Sequence, residues 1–271
     1  MLLEAERVEV SFSGGFGAPR RLALRGVSLA LPDDRPTILA VVGESGSGKT
    51  TLTRLLLGLL SPSAGQVRYL GRDVARLDRT GHAAFRREVQ AVFQDPFGAY
   101  NPFYTVDRML LLPALHFGLA RGRASALALA EAALTQVGLR PGETLGRYPH
   151  QLSGGQRQRL MVARALMLRP RVIVADEPVS MVDASLRATI LQSLYALTVD
   201  HGISLVYVTH DLATAYQVAD RVMVMQNGAV VEEGEADSVI RRPRDAYTQA
   251  LVAAIPPPDP TVPWGLEDAA E

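Results

Sequence analysis

Four stretches of this chain are apolar without interruption: Ile38–Val42, Ala91–Phe93, Val172–Ala175 and Leu205–Val208. Each is short, rich in β-branched residues and closed by a polar or glycine-rich turn. Runs of that kind predict parallel strands buried on both faces. Between them, Thr51–Leu60, Ala124–Val137, Gly155–Leu168 and Ser185–Val199 carry helical periodicity. Alternating strand and helix signals predict an α/β sheet. Val222–Met225, then Asn227-Gly228, then Ala229–Glu232 reads as a hairpin, because both turn residues tolerate positive φ. From about 95 to 163 the pattern is helical with no good strand, which predicts a helical subdomain inserted into the sheet core. After Ala254 the chain turns proline-rich (Pro256-Pro257-Pro258-Asp259-Pro260) and then acidic. An extended or flexible tail over 256–271 is expected there, with the lone Trp264 inside it.

Composition narrows the chemistry by exclusion. The 271 residues contain no cysteine, which removes disulfides, thiolate nucleophiles and cysteine-ligated metal sites. Lys plus Arg (28) equals Asp plus Glu (28), so no global field favours nucleic acid. Met1–Val10 lacks the charged start and apolar run of a signal peptide. No run of about 18 apolar residues offers a membrane span. The histidines His82, His116, His150 and His201 are not spaced as metal ligands, and Met161, Met167, Met223 and Met225 read as core filler.

The segment Gly43-Glu44-Ser45-Gly46-Ser47-Gly48-Lys49-Thr50 follows the predicted strand Ile38–Val42 and opens the helix that starts at Thr51. It fits the P-loop pattern. Its glycines let backbone N–H groups converge on phosphate oxygens, and the helix N-terminus adds partial positive charge. Lys49 is expected to reach the β- and γ-phosphates of ATP, and Thr50 to hold Mg²⁺, with Thr51 beside them in the first turn. Val172–Ala175 ends in Asp176-Glu177 at the edge of a buried strand, where open α/β sheets bind ligands. Asp176 is expected to orient Mg²⁺ and Glu177 to polarise an attacking water. Alone, an apolar strand ending in Asp-Glu is common; beside a P-loop it gains meaning.

Leu152-Ser153-Gly154-Gly155-Gln156, followed by a helix with Arg157, Arg159 and Arg164, resembles the signature pentapeptide of the ABC ATPase family. Small residues ahead of a helix make a second phosphate-binding surface. The resemblance implies that Ser153, Gly154, Gly155 and Gln156 close on the γ-phosphate held by an opposite subunit, so that one chain carries two half-sites. It implies a P-loop NTPase core with a parallel sheet, an antiparallel β part and the inserted helical subdomain, over about 1–255. It also assigns roles by position. Gln94 contacts Mg²⁺ and water, Asp183 faces the other subunit, and His210 hydrogen-bonds the γ-phosphate. Phe12 or Phe16 stacks on adenine; Phe12 is favoured, with core packing as its rival.

Gln94–Pro102, Tyr148–Gln151 and Ala246–Leu251 with Pro256 resemble the dipeptide, oligopeptide and nickel importer ATPases. Ser180–Arg187 and Asp211–Tyr216 resemble a branch importing oligopeptides or oligosaccharides. Met181-Val182 departs from the family's usual Ala-Leu, and Asp245-Ala246 from its His-Pro. The cysteines of some relatives are missing, so no cluster is expected. The implied partners are a second ATPase subunit, identical or homologous, a transmembrane permease and, indirectly, a solute-binding protein, with no nucleic acid. The implied place is the cytoplasmic face of the membrane, with a coupling helix of the permease near Gln94–Tyr104. The resemblance implies an ATPase that powers uptake of peptides or related solutes, with oligosaccharides or nickel as the alternative cargo. An exporter ATPase, a soluble ABC ATPase and a kinase or other P-loop transferase are the less favoured readings.

Overall fold

The computed structural model describes residues 1–12, 20–93, 100–180, 182 and 184–255, apart from the side chains of 184–186. The first half runs β1 (Leu3–Phe12), β2 (Arg21–Leu31), β3 (Ile38–Val42), α1 (Lys49–Leu56), β4 (Ala64–Tyr69), β5 (Arg72–Asp73), α2 (Arg79–Glu88) and β6 (Val89–Val92). Helices α3 (Val106–His116), α4 (Arg123–Gln136), α5 (Pro141–Thr144) and α6 (Gly154–Met167) follow with no strand among the described residues between them. The chain then returns through β7 (Val172–Asp176), α7 (Ala184–Val199), β8 (Ser204–Thr209), α8 (Leu212–Val218), β9 (Arg221–Gln226) and β10 (Ala229–Glu235). The last elements among the described residues are α9 (Ala236–Arg241) and α10 (Ala246–Ala253).

Two sheets organise these elements. The larger has the order β10-β9-β3-β8-β7-β6. Its neighbours from β9 to β6 pair in parallel, and β10 turns back antiparallel on β9. All five residues of β3 and of β7 are buried, as continuous apolar runs require. Alternation decides which core each side chain joins. Ile38, Ala40 and Val42 join the core that holds α8 and the helices of the 106–167 region, while Leu39 and Val41 join the one that holds α1 and the second sheet. Met161 and Met167 fill the first core, Met223 and Met225 the second.

The second sheet, β2-β1-β4-β5, is antiparallel. The apolar-run reading did not place these strands. In β1, Leu3, Ala5, Val8 and Val10 are buried, but the register shifts between Ala5 and Val8, where Arg7 adopts a φ of 44°. A bulge there breaks the two-residue period that would mark the strand. Leu52, Leu55 and Leu56 of α1 fill the space between the sheets. Arg25 N donates to Gly228 O at 2.8 Å, joining β2 to the β9–β10 turn directly beside the loop ahead of α1. In that turn Asn227 and Gly228 have φ of 49° and 82°, the conformation their sequence predicts. The proline-rich tail lies outside the described residues. No described helix is long and apolar enough to cross a membrane.

Candidate functional site

The loop from Gly43 to Gly48 leaves the C-terminal end of β3 and enters α1 under close packing. Gly43 has a φ of 153°, and a Cβ there would stand 2.2 Å from Met225 O. Gly48 has a φ of 105°, and a Cβ there would stand 2.8 Å from Ala23 O. Neither position admits a side chain. Gly228 N donates to Ser47 O at 2.9 Å, so the β9–β10 turn braces the loop from the side. Gly48 caps α1 without a side chain to bond its first-turn amides, which leaves them available to an anion.

Lys49 is buried, and its Nζ donates to Gly43 O at 2.6 Å and to Glu44 O at 2.8 Å. Burial lowers its pKa, against the opposing pull of Glu177, Asp176 and Glu44. The three carboxylates and the ammonium therefore share one electrostatic environment. The cavity over the loop has a volume of about 850 Å³ and is lined by Phe12, Arg25, Ser45, Lys49, Thr51 and Glu177 among others. Phe12, 47% exposed, presents a ring to it, as an adenine-stacking residue must. Phe16, Gln94 and Asp183 lie outside the described residues.

Asp176 ends β7. Its Oδ1 is buried with no hydrogen-bond partner. Burial raises the pKa of this carboxyl and Glu177 adds to the rise, while Thr50, Lys49 and Arg54 oppose it. An orphaned carboxylate oxygen next to a hydroxyl suits a small hard cation, so Asp176 and Thr50 fit Mg²⁺. Glu177 has a φ of 47°, unusual for a residue with a side chain. Its N–H donates to Val208 O at 2.8 Å and its carbonyl accepts from Ser180 Oγ at 3.0 Å. His210 follows β8, and its Nδ1 is 3.2 Å from Glu177 Oε1. Adjacent parallel strands thus bring the two residues together.

The segment Ser153–Gln156 opens α6 as a closed capping box. Ser153 Oγ accepts from Gln156 N at 3.2 Å, and Gln156 Oε1 accepts from Ser153 N at 2.9 Å. Gln156 thereby serves its own helix, while the Ser153 hydroxyl keeps its proton to donate elsewhere. A Cβ on Gly154 would meet nothing within 4 Å, so the surface at the start of α6 is open. Among the described residues, none of 153–156 lines the Lys49 cavity.

Sequence reasoning did not place Arg20, Arg21, Arg25 or the Asn227-Gly228 turn at this cavity. The turn was visible as a hairpin, but its position beside the P-loop depends on β9 pairing with β3.

The ABC transporter family profile matches residues 24–180. The dipeptide transport ATP-binding protein DppF of Escherichia coli (strain K12) is 45% identical over 245 residues, covering 89% of this chain and 72% of DppF. The oligopeptide transport ATP-binding protein OppF of the same strain is 40% identical, covering 88% of this chain and 70% of OppF. A probable peptide ABC transporter ATP-binding protein of Sinorhizobium fredii is 45% identical, and the chain spans 62% of its length. Among solved structures, the dimeric post-hydrolysis state of the ATP-binding cassette MJ0796 with ADP and Pi superposes at TM-score 0.75 with 28% identity, over 86% of this chain and 98% of that one. CbiO1 from Clostridium perfringens, part of the transporter complex cbiONQ, also gives 0.75, with 26% identity over 89% and 91% of the two chains. Together with the loop, the carboxylate pair and the capped helix described above, these matches establish that the chain belongs to the ABC transporter family and carries its ATP-hydrolysing cassette.

Proposed function

We propose that this chain powers the import of peptides through a separate permease, hydrolysing ATP at a site completed by a second ATPase subunit. The observation that carries the reading is the division of parts. The cavity over Lys49 holds the phosphate-binding loop and Glu177, whereas Ser153–Gln156 stands apart from it with an open glycine at its start. Two copies, or one copy and a homologue, packed head to tail would place the Ser153 hydroxyl and the α6 amides on the γ-phosphate held by the opposite Lys49. Gln94 and Asp183 would serve the same interface. Peptides are the favoured cargo because DppF and OppF carry peptide transport in their names.

In this reading the first-turn amides of α1 and the Lys49 ammonium bind the triphosphate, and Phe12 stacks on adenine. Asp176 and Thr50 would hold Mg²⁺, with Gln94 as a further ligand; when bound, the ion neutralises phosphate charge. Glu177 orients water for in-line attack and accepts its proton, and His210 donates a hydrogen bond to the γ-phosphate. Cleavage removes the group that both subunits grip, so the pair loosens. Phe103, 84% exposed, and Tyr104 offer an apolar patch for a permease helix at the cytoplasmic face of the membrane.

The test is the dependence of phosphate release on protein concentration. Specific activity should rise with concentration as pairs form, and detergent-solubilised membranes should yield the chain together with a permease. Full activity in a strict monomer would refute the shared site, and recovery with ribosomes or DNA instead of a permease would refute transport.

A further inference from the structure

Helix α10, the last among the described residues, reaches back to the phosphate-binding loop. Tyr247, in the first turn of α10, accepts a hydrogen bond at its hydroxyl oxygen from Glu44 N at 2.9 Å, across 203 positions of sequence. That N–H belongs to the same planar peptide unit as the Gly43 carbonyl, which accepts from Lys49 Nζ at 2.6 Å. In a trans peptide the N–H and C=O point in opposite directions, and the described chain contains no cis bond. Tyr247 and Lys49 therefore hold opposite ends of one plate.

The plate needs holding. Gly43 has a φ of 153° and no side chain, so its own conformational preferences do little to fix the peptide that follows. Rotation of that peptide would carry the Gly43 oxygen away from the ammonium that a triphosphate must find. The other end of the tether is anchored. Glu232 on β10 accepts from Arg244 N at 2.9 Å and from Asp245 N at 3.1 Å. Asp245 Oδ1 caps α10 through Tyr247 N at 2.9 Å. The Tyr247 ring packs against the main core, and Thr248 beside it is fully buried.

We infer that Tyr247 is a positioning residue for the nucleotide site: its hydroxyl locks the Gly43–Glu44 peptide and through it the Lys49 ammonium, tying α10 to ATP affinity. The inference rests on the placement of the phosphates at Lys49. A ring alone would fill the same space, so the hydroxyl can be tested apart from packing.

The experiment compares the full chain with Tyr247→Phe, Tyr247→Leu and Lys49→Ala, by titration with a fluorescent ATP analogue and by ATP hydrolysis kinetics. The Phe variant keeps the ring and loses one hydrogen bond, so its dissociation constant and KM should rise roughly two- to tenfold, with kcat changed less than KM. A Phe variant that binds like wild type while the Leu variant is weakened would assign Tyr247 to packing and overturn the inference. Lys49→Ala separates the two levels. If it binds like wild type, the phosphate placement fails and the inference falls with it. If it is weakened and Tyr247→Phe is not, the role of Tyr247 alone fails.

Discussion

His210 Nδ1 lies 3.2 Å from Glu177 Oε1, although 32 residues and a whole helix separate them in sequence. The contact follows from topology: each residue leaves the C-terminal end of one of two neighbouring parallel strands, β7 and β8. The Glu177 backbone is fixed at a φ of 47° by bonds to Val208 and Ser180, a conformation that costs of order 1 kcal/mol and persists because its surroundings hold it. Glu177→Gln preserves size and the ability to accept a bond from His210, but not proton acceptance. Phosphate release should fall about 10²- to 10⁴-fold while binding of a fluorescent ATP analogue stays near wild type. With MgATP present, size-exclusion chromatography should show the variant as a pair. Turnover at the wild-type rate would remove Glu177 from its role.

The parts of this arrangement differ in how far the sequence reveals them. β3, β7 and β8 were legible because both faces are buried, which leaves an unbroken apolar run. Asn227-Gly228 was legible because few other pairs adopt two positive φ angles cheaply. The β2-β1-β4-β5 sheet was not, since the bulge at Arg7 shifts the alternation of β1 partway along. Lys49 and Glu177 could be singled out from local pattern. Arg25 and Tyr247 could not, because what brings them to the loop is pairing and docking over long sequence distances.

Gly154 separates folding from assembly. Its φ is not in the left-handed region, and an added Cβ meets nothing within 4 Å. Gly154→Val should therefore leave stability within about 0.5 kcal/mol of wild type in urea unfolding, since its Cβ enters open space. In the paired state the same side chain would stand where the opposite phosphates approach. Hydrolysis should fall at least about 100-fold, and ATP-induced pairing of the Glu177→Gln form should disappear. A stable variant with normal hydrolysis would show that this surface faces solvent throughout the cycle.

Burial places a cost on Asp176 that a bound cation would relieve. Burial, with Glu177 nearby, raises its pKa, so the folded chain binds that proton more tightly than the unfolded chain does. The resulting stabilisation is complete below the unfolded pKa and is lost as pH rises through the folded one. Once ionised, the group, with Oδ1 unpartnered, is a net liability without a cation. Asp176→Asn should raise the thermal midpoint of the nucleotide-free chain by roughly 2–4 °C, equivalent to about 1 kcal/mol. It should also abolish the extra stabilisation that Mg²⁺ adds to ATP. A lowered midpoint together with an intact Mg²⁺ effect would contradict both halves of the argument.

Glu232 makes the docking of α10 sensitive to acid. Burial pushes its carboxyl pKa up, but the amides of Arg244 and Asp245, with Thr248 and the Arg244 charge, together outweigh that, and the balance lies below the usual 4.5. The folded state thus prefers the ionised form. Its contribution is fully present above the pKa of an unfolded glutamate and is lost as pH falls through the lowered folded value. Hydrogen-exchange protection of the α10 amides, corrected for intrinsic rates, should be constant from about pH 7 to 5 and decline below about pH 4. Glu232→Gln keeps the shape but gives up the charge that both amides bond. In that variant α10 should already exchange faster at neutral pH, and the acid-dependent step should be gone. Protection that stays flat down to pH 3 in the wild-type chain would mean that the two amide bonds do not anchor the helix.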